Sequence, residues 1–155
     1  MNCIISNEIP VPNNEGTEYE VLAHSQEAVD LSHVVSYGMV VLSCHGRGQQ
    51  PVGIIHGGPE VDTETGELRG EITFLPNEAG RLYEEDARQG RRCGLSLEAE
   101  RLAIENGGTL RGLPVKRITR WKPLYVVFTP MPRNPLAKIV PGGRYQPGRG
   151  NSETL

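Results

Sequence analysis

Two stretches of this chain carry residue types that can attack or protonate an acyl group. In Cys44-His45-Gly46-Arg47-Gly48-Gln49-Gln50-Pro51-Val52-Gly53, a histidine ends an apolar run and a Gly-rich loop begins. A strand end is rigid and a loop mouth is open, which suits an imidazole acting as general base. In Gly90-Arg91-Arg92-Cys93-Gly94-Leu95-Ser96-Leu97-Glu98, a helix should end, the chain turns, and a strand starts with a serine between two leucines. Strand alternation puts Leu95 and Leu97 on one side and Gly94, Ser96 and Glu98 on the other. A serine nucleophile needs an open face, a nearby imidazole and donors for the oxyanion. Gly94 is expected to leave room there for a substrate backbone. The motif is not the Gly-x-Ser-x-Gly elbow, because Glu98 stands at the second glycine. Taken alone, a histidine at a strand end is more often structural, and a strand serine nearly always is.

The other reactive side chains offer less. Cys3, Cys44 and Cys93 form no CxxC pair, and their odd number fits no complete disulfide framework, so a reducing compartment is expected. No two Cys or His sit at ligand spacing within one loop, so no zinc site is expected. His24, His33 and His56 have weaker settings than His45. Arg91-Arg92 reads as a solvated helix end, or as a grip on an oxyanion or acidic substrate. Trp121 reads as a core or rim anchor.

The elements that must position these residues are mostly short strands. Gly and Pro together make a fifth of the 155 residues, which excludes a helical bundle and favours strands joined by turns. Strands are expected at Cys3–Ser6, Glu18–Ala23, Gly38–His45, Val52–His56, Glu67–Leu75, Cys93–Leu102, Val115–Arg120 and Leu124–Thr129. Glu60–Gly66 reads as an acidic turn and Asn106-Gly107-Gly108 as a tight one. Ser25 is expected to cap a helix through about Val35. Asn77 should cap a second helix ending at Gly90, with Ala79, Leu82, Tyr83 and Ala87 as its apolar face. Residues 1–16 read as a loose arm, 17–140 as the folded domain and 141–155 as a flexible Gly/Pro/Arg tail. The class is α+β, a β-rich domain with helices packed on a curved sheet or partly closed barrel.

Composition narrows the function. The chain is one domain long, with 37% hydrophobic and 23% charged residues, neither disordered nor membranous. Its longest uncharged apolar run, around Val34–Cys44, is too short to span a bilayer. No basic stretch precedes an apolar one, so no secretion signal is expected. Net charge is −3, but unevenly spread. Residues 1–46 hold six acids and no Lys or Arg, whereas residues 101–155 hold ten bases and two acids. The two ends either pair in the fold or offer a basic face to an acidic partner. No aromatic residues interleave the bases as a nucleic-acid platform needs, so no specific nucleic-acid binding is expected.

Together these stretches resemble the prohead (capsid maturation) proteases of tailed bacteriophages, relatives of the herpesvirus assemblin. The resemblance covers about Gly38 to Val140. It consists of His45 at a strand end, the Pro51-Val52-Gly53 step, Leu68-Arg69-Gly70-Glu71-Ile72, a helix ending in Gly90, Gly94-Leu95-Ser96, and the corner Pro132-Arg133-Asn134-Pro135-Leu136-Ala137. No single element is specific; their order is. The resemblance implies a small barrel-like or strongly curved sheet with flanking helices. It implies a serine endopeptidase with Ser96 as nucleophile and His45 as general base, and no metal or organic cofactor. The major capsid protein or a scaffold would be the substrate, with self-association and self-cleavage, in the host cytoplasm and procapsid interior. The chain departs from the family at the third member. Phage relatives carry an acid early in the last strand and assemblin a second histidine, but the matching position falls near Tyr125, between Leu124 and Val126. Glu98, Glu71 and Tyr125 are the candidates, with His33 and His56 as imidazole alternatives. A catalytically inactive, protease-like scaffold or capsid-associated protein is the alternative expectation.

Overall fold

The computed structural model describes residues 1–44, 48–56 and 59–140. The strands are β1 (Asn2–Asn7), β2 (Val11–Pro12), β3 (Tyr19–Leu22), β4 (Met39–Leu42), β5 (Pro51–Ile55), β6 (Glu60–Asp62), β7 (Glu67–Phe74), β8 (Leu95–Leu110), β9 (Leu113–Phe128) and β10 (Lys138–Val140). Two helices, α1 (Ser32–Tyr37) and α2 (Glu78–Arg88), complete the described part. The strands run β10-β1-β7-β5-β4-β9-β3-β2, with β6 on β7 and β8 on β9. Gly94 then bridges to Lys138 of β10, and Leu95 N–H donates to Ala137 O at 2.9 Å. The strongly curved sheet thereby meets itself at one end, as expected for a β-rich α+β fold.

Alternation explains the core. Met39 and Val41 of β4, Val126 and Phe128 of β9, Leu95 of β8, Ile72 of β7 and Ile5 of β1 all point inward and are buried. Gly70 lets β7 pass close to β5, since a Cβ there would lie 2.6 Å from Ile55 Cγ2. Two of the motif segments, Pro51-Val52-Gly53 and Leu68–Ile72, thus belong to one antiparallel pair.

Several expectations need correction. The strand expected at Cys3–Ser6 is β1, but its stretch is no loose arm: β1 lies between β10 and β7 with Cys3 and Ile5 buried. Ser25 does not start a helix. Its hydroxyl accepts from Ala28 N–H at 3.1 Å to close a turn, and Ala28 O and Asp30 N–H are bonded to the Trp121 backbone. Those groups serve the sheet, so α1 begins only at Ser32. Asn77 caps α2 as expected, accepting from Gly80 N–H at 2.6 Å. On its inner face Tyr83 and Ala87 are buried, but Leu82 is exposed and Asp86 takes a buried place. The two strands expected in 113–129 are one, because a register shift opposite Glu98 and Ala99 absorbs the break near Pro123. Another shift absorbs Asn106-Gly107-Gly108, so the hairpin turns instead at Arg111-Gly112, both with positive φ (51° and 79°). The expected tail, 141–155, lies outside the described residues.

The charge asymmetry resolves into pairs. Glu8–Arg117 (2.6 Å), Glu18–Lys116 (3.1 Å) and Glu20–Arg101 (2.6 Å) join the acidic first part to the basic last part. Among the described residues, no helix is long and apolar enough to cross a membrane.

Candidate active site

Ser96 is the second residue of β8 and pairs with Val127, which in turn neighbours Leu42 of β4. Directly paired residues share a face, so Ser96, Val127 and Leu42 lie in one row. Ser96 is half-buried and lines a cavity of about 520 Å³. Among the described residues no side chain hydrogen-bonds to it.

The cavity follows from strand order. Lys138 pairs with Ile4 of β1 on one edge of β10 and with Gly94 on the other. Both neighbours are antiparallel to β10, so β1 and the start of β8 run parallel. Past Ala137, whose C=O accepts from Leu95 N–H, the chain leaves the sheet into the proline-rich corner, and Ser6 and Asn7 lie across the cavity from Leu97 with no paired strand between. Cα atoms of β1 and β8 approach within 8 Å, closer than two strand spacings, so the opening is a narrow cleft between the two strands. Leu95 N–H points into it toward Ala137 O, so two-residue alternation turns the Leu97 N–H and C=O the same way, and no backbone partner meets them among the described residues.

His45 lies outside the described residues. Its predecessor, Cys44, is tied to α2: its N–H donates to the Tyr83 hydroxyl at 3.0 Å, which donates to Cys44 Sγ at 3.2 Å. Tyr83 packs on Phe128, with ring centroids 5.1 Å apart, and carries the Arg92 guanidinium 4.7 Å above its ring. Cys44 and Gly94 line one further cavity, of about 510 Å³, walled by Phe128, Pro130, Pro132 and Pro135.

The three candidates for a third member separate. Glu98 shares the Ser96 face and cavity but is exposed. Tyr125 pairs with Glu98 across the ladder. Glu71 sits on β7 opposite Asn2, 3.9 Å from the N-terminal amine, and lines neither cavity. His33 is half-buried on α1 against Tyr37, and His56 is exposed at the end of β5.

Two local readings change. The space beside Gly94 is not open: a Cβ there would lie 2.5 Å from Thr129 O and 3.0 Å from Pro132 Cδ. The glycine admits the chain's own corner. Arg91 and Arg92 are not simply solvated. Arg91 reaches Asp86 Oδ1 at 2.7 Å and Arg92 reaches Asp86 Oδ2 at 2.6 Å. The hydrogen bond from Arg91 holds the Asp86 carboxyl below its ordinary range, against the opposing effect of burial, with the Arg91 and Arg92 charges adding to the shift. This clamp fixes the turn that leads into Gly94.

Composition and spacing pointed to neither Asn7 nor His24. Asn7, from the expected arm, lines the Ser96 cavity and accepts from Asn134 Nδ2 at 2.8 Å. The Asn134 corner was visible in the sequence, but its partner lies too far away along the chain for any local pattern to show. His24 is buried against Trp121; its Nδ1 donates to Leu22 O at 2.7 Å and its Nε2 has no partner among the described residues. Burial pushes its pKa down. Comparison of the chain with protein-family models, curated proteins and solved structures finds no match.

Proposed function

We propose that the chain is a serine endopeptidase of the phage prohead type, with Ser96 as nucleophile and His45 as general base. The observation that carries this reading is the position of Ser96 in the cavity between β1 and β8, beside the open Leu97 backbone. A substrate segment that pairs with the Leu97 backbone brings a peptide carbonyl past the serine. Ser96 Oγ attacks the carbonyl carbon while His45 takes its proton. The tetrahedral intermediate collapses, the C–N bond breaks, and the proton passes to the leaving amine. Water, deprotonated by His45, then releases the acyl group and restores Ser96. The substrate is a capsid or scaffold segment, cut inside the procapsid.

One observation favours the alternative, an inactive protease-like capsid component: the face beside Gly94 is filled by Thr129 and Pro132. One experiment separates the two. Wild type and Ser96→Ala are co-expressed with the major capsid protein of the same virus, and intact masses are read. The purified chains are also treated with a fluorophosphonate probe. Trimming and labelling by wild type alone support the protease. Full-length chains and no labelling in both leave the structural role.

A further inference from the structure

The Ser96 cavity holds one amide whose orientation is dictated by its surroundings. Leu136 N–H donates to Asn134 Oδ1 at 3.0 Å. A backbone N–H only donates, so that atom is oxygen and the other terminus of Asn134 is the NH2 group. That NH2 lies 2.8 Å from the Asn7 side chain, and an amide nitrogen requires an acceptor, so the facing atom is Asn7 Oδ1. Asn7 Nδ2 therefore points the other way. It has no acceptor among the described residues. The sealed polar atoms lacking partners there are His24 Nε2 and Arg69 Nη1, so Asn7 Nδ2 keeps contact with solvent. Asn7 as a whole is 8% exposed and lines the Ser96 cavity. The remaining contact is thus with the cavity.

The charged donors at this wall are already engaged. Arg101 gives Nε and Nη2 to Glu20, both at 2.6 Å, and Arg133 is bonded to Asn14. Asn7 Nδ2 is a neutral donor held in advance by a chain of two hydrogen bonds, in a residue that lines the same cavity as Ser96. Such a donor stabilises charge that develops on a carbonyl oxygen without reorganising when it appears.

We propose that Asn7 Nδ2 donates to the oxyanion formed when Ser96 attacks a carbonyl, with Asn134 as its positioning residue. This rests on the serine-hydrolase reading of Ser96. The test uses the full chain as wild type, Asn7→Asp, Asn134→Ala and Ser96→Ala. Asp in place of Asn7 still accepts from Asn134, so the fold-holding bond survives while the donor is lost. Hydrolysis of p-nitrophenyl acetate and cleavage of the capsid protein are measured, with melting temperature as control. In Asn7→Asp, kcat falls about 10²–10³-fold at unchanged KM, with melting within a few degrees of wild type. Asn134→Ala frees the amide to rotate and gives a smaller fall, also in kcat; it serves as the deciding variant if Asn7→Asp does not fold. Wild-type kcat in the folded variants, or a change confined to KM, overturns the proposal while leaving Ser96 as nucleophile. Equal rates for wild type and Ser96→Ala overturn the serine-hydrolase reading itself, and this proposal with it.

Discussion

Replacing Gly94 with alanine tests whether the space beside the nucleophile belongs to the chain or to a substrate. Its φ is not in the left-handed region, so the backbone accepts alanine and only the new methyl matters. That methyl would sit 2.5 Å from Thr129 O and 3.0 Å from Pro132 Cδ. Overpacking of this kind costs about 1–3 kcal/mol. If the corner moves away instead, the bond from Thr129 N–H to Gly94 O, now 2.9 Å, is lost or lengthened, at about 1 kcal/mol. Against this, alanine restricts the unfolded chain and contributes about 0.4–1 kcal/mol of stability. The unfavourable side wins by about 1–2 kcal/mol, which lowers the melting temperature by roughly 2–8 °C for a domain of this size. Urea and thermal unfolding measure the change. Pro132→Ala in the same background should return part of it, because the two sites touch and their effects do not add. A Gly94→Ala chain as stable as wild type, or more so, would mean the methyl finds open space, and the packed corner would be refuted.

Three further outcomes follow from local geometry. His24 refuses a proton in the fold that the unfolded chain accepts near pH 6.5, so stability is full above that value and falls as pH drops below it; urea midpoints from pH 7.5 to 5.5 should show the decline, flattened in His24→Phe. Asp86 has the opposite reference: its lowered pKa adds stability above the ordinary carboxylate range, lost as pH falls through the folded value. The deficit of Asp86→Asn should then be full at pH 7 and shrink below about pH 4 in the same assay. Arg111 holds φ 51° at the hairpin tip, where asparagine is better tolerated; Arg111→Asn should raise stability by about 0.5–1 kcal/mol, read as a melting temperature about 1–4 °C higher.

Elements with strong local signals were legible in the sequence. Asn77 and the acidic first turn marked α2, and the apolar runs at Met39–Leu42 and Val52–Ile55 marked β4 and β5. What failed had no local signal. Residues 25–30 have a helical pattern, but their backbone groups are taken by Trp121, roughly ninety residues later. Pro123 looks like a strand break and becomes a bulge, because the partner strand supplies enough register to pass it. At the site, Ser96 and Glu98 were placed on one face by alternation alone, and the ladder agrees. The cleft that makes Ser96 accessible depends on β1 and β10 meeting β8 from opposite ends of the chain, and no spacing rule reports that.

The same edge of β8 that opens toward Ser96 continues for many residues, and an unpaired strand of that length ordinarily invites indiscriminate pairing. Its far part is guarded. Glu98, Glu100, Arg101 and Glu105 are exposed along it, and Arg101 Nη1 donates to Ala99 O at 3.2 Å, occupying an edge carbonyl. Register shifts after Glu98, Arg101, Ala103 and Asn106 break the regular ladder that a docking strand would need. None of these devices acts before Glu98. Leu95 N–H is already taken by Ala137 O, so the regular, unguarded part of this edge is the Leu97 backbone next to Ser96, and on the proposed protease reading that is where a docking chain would pair.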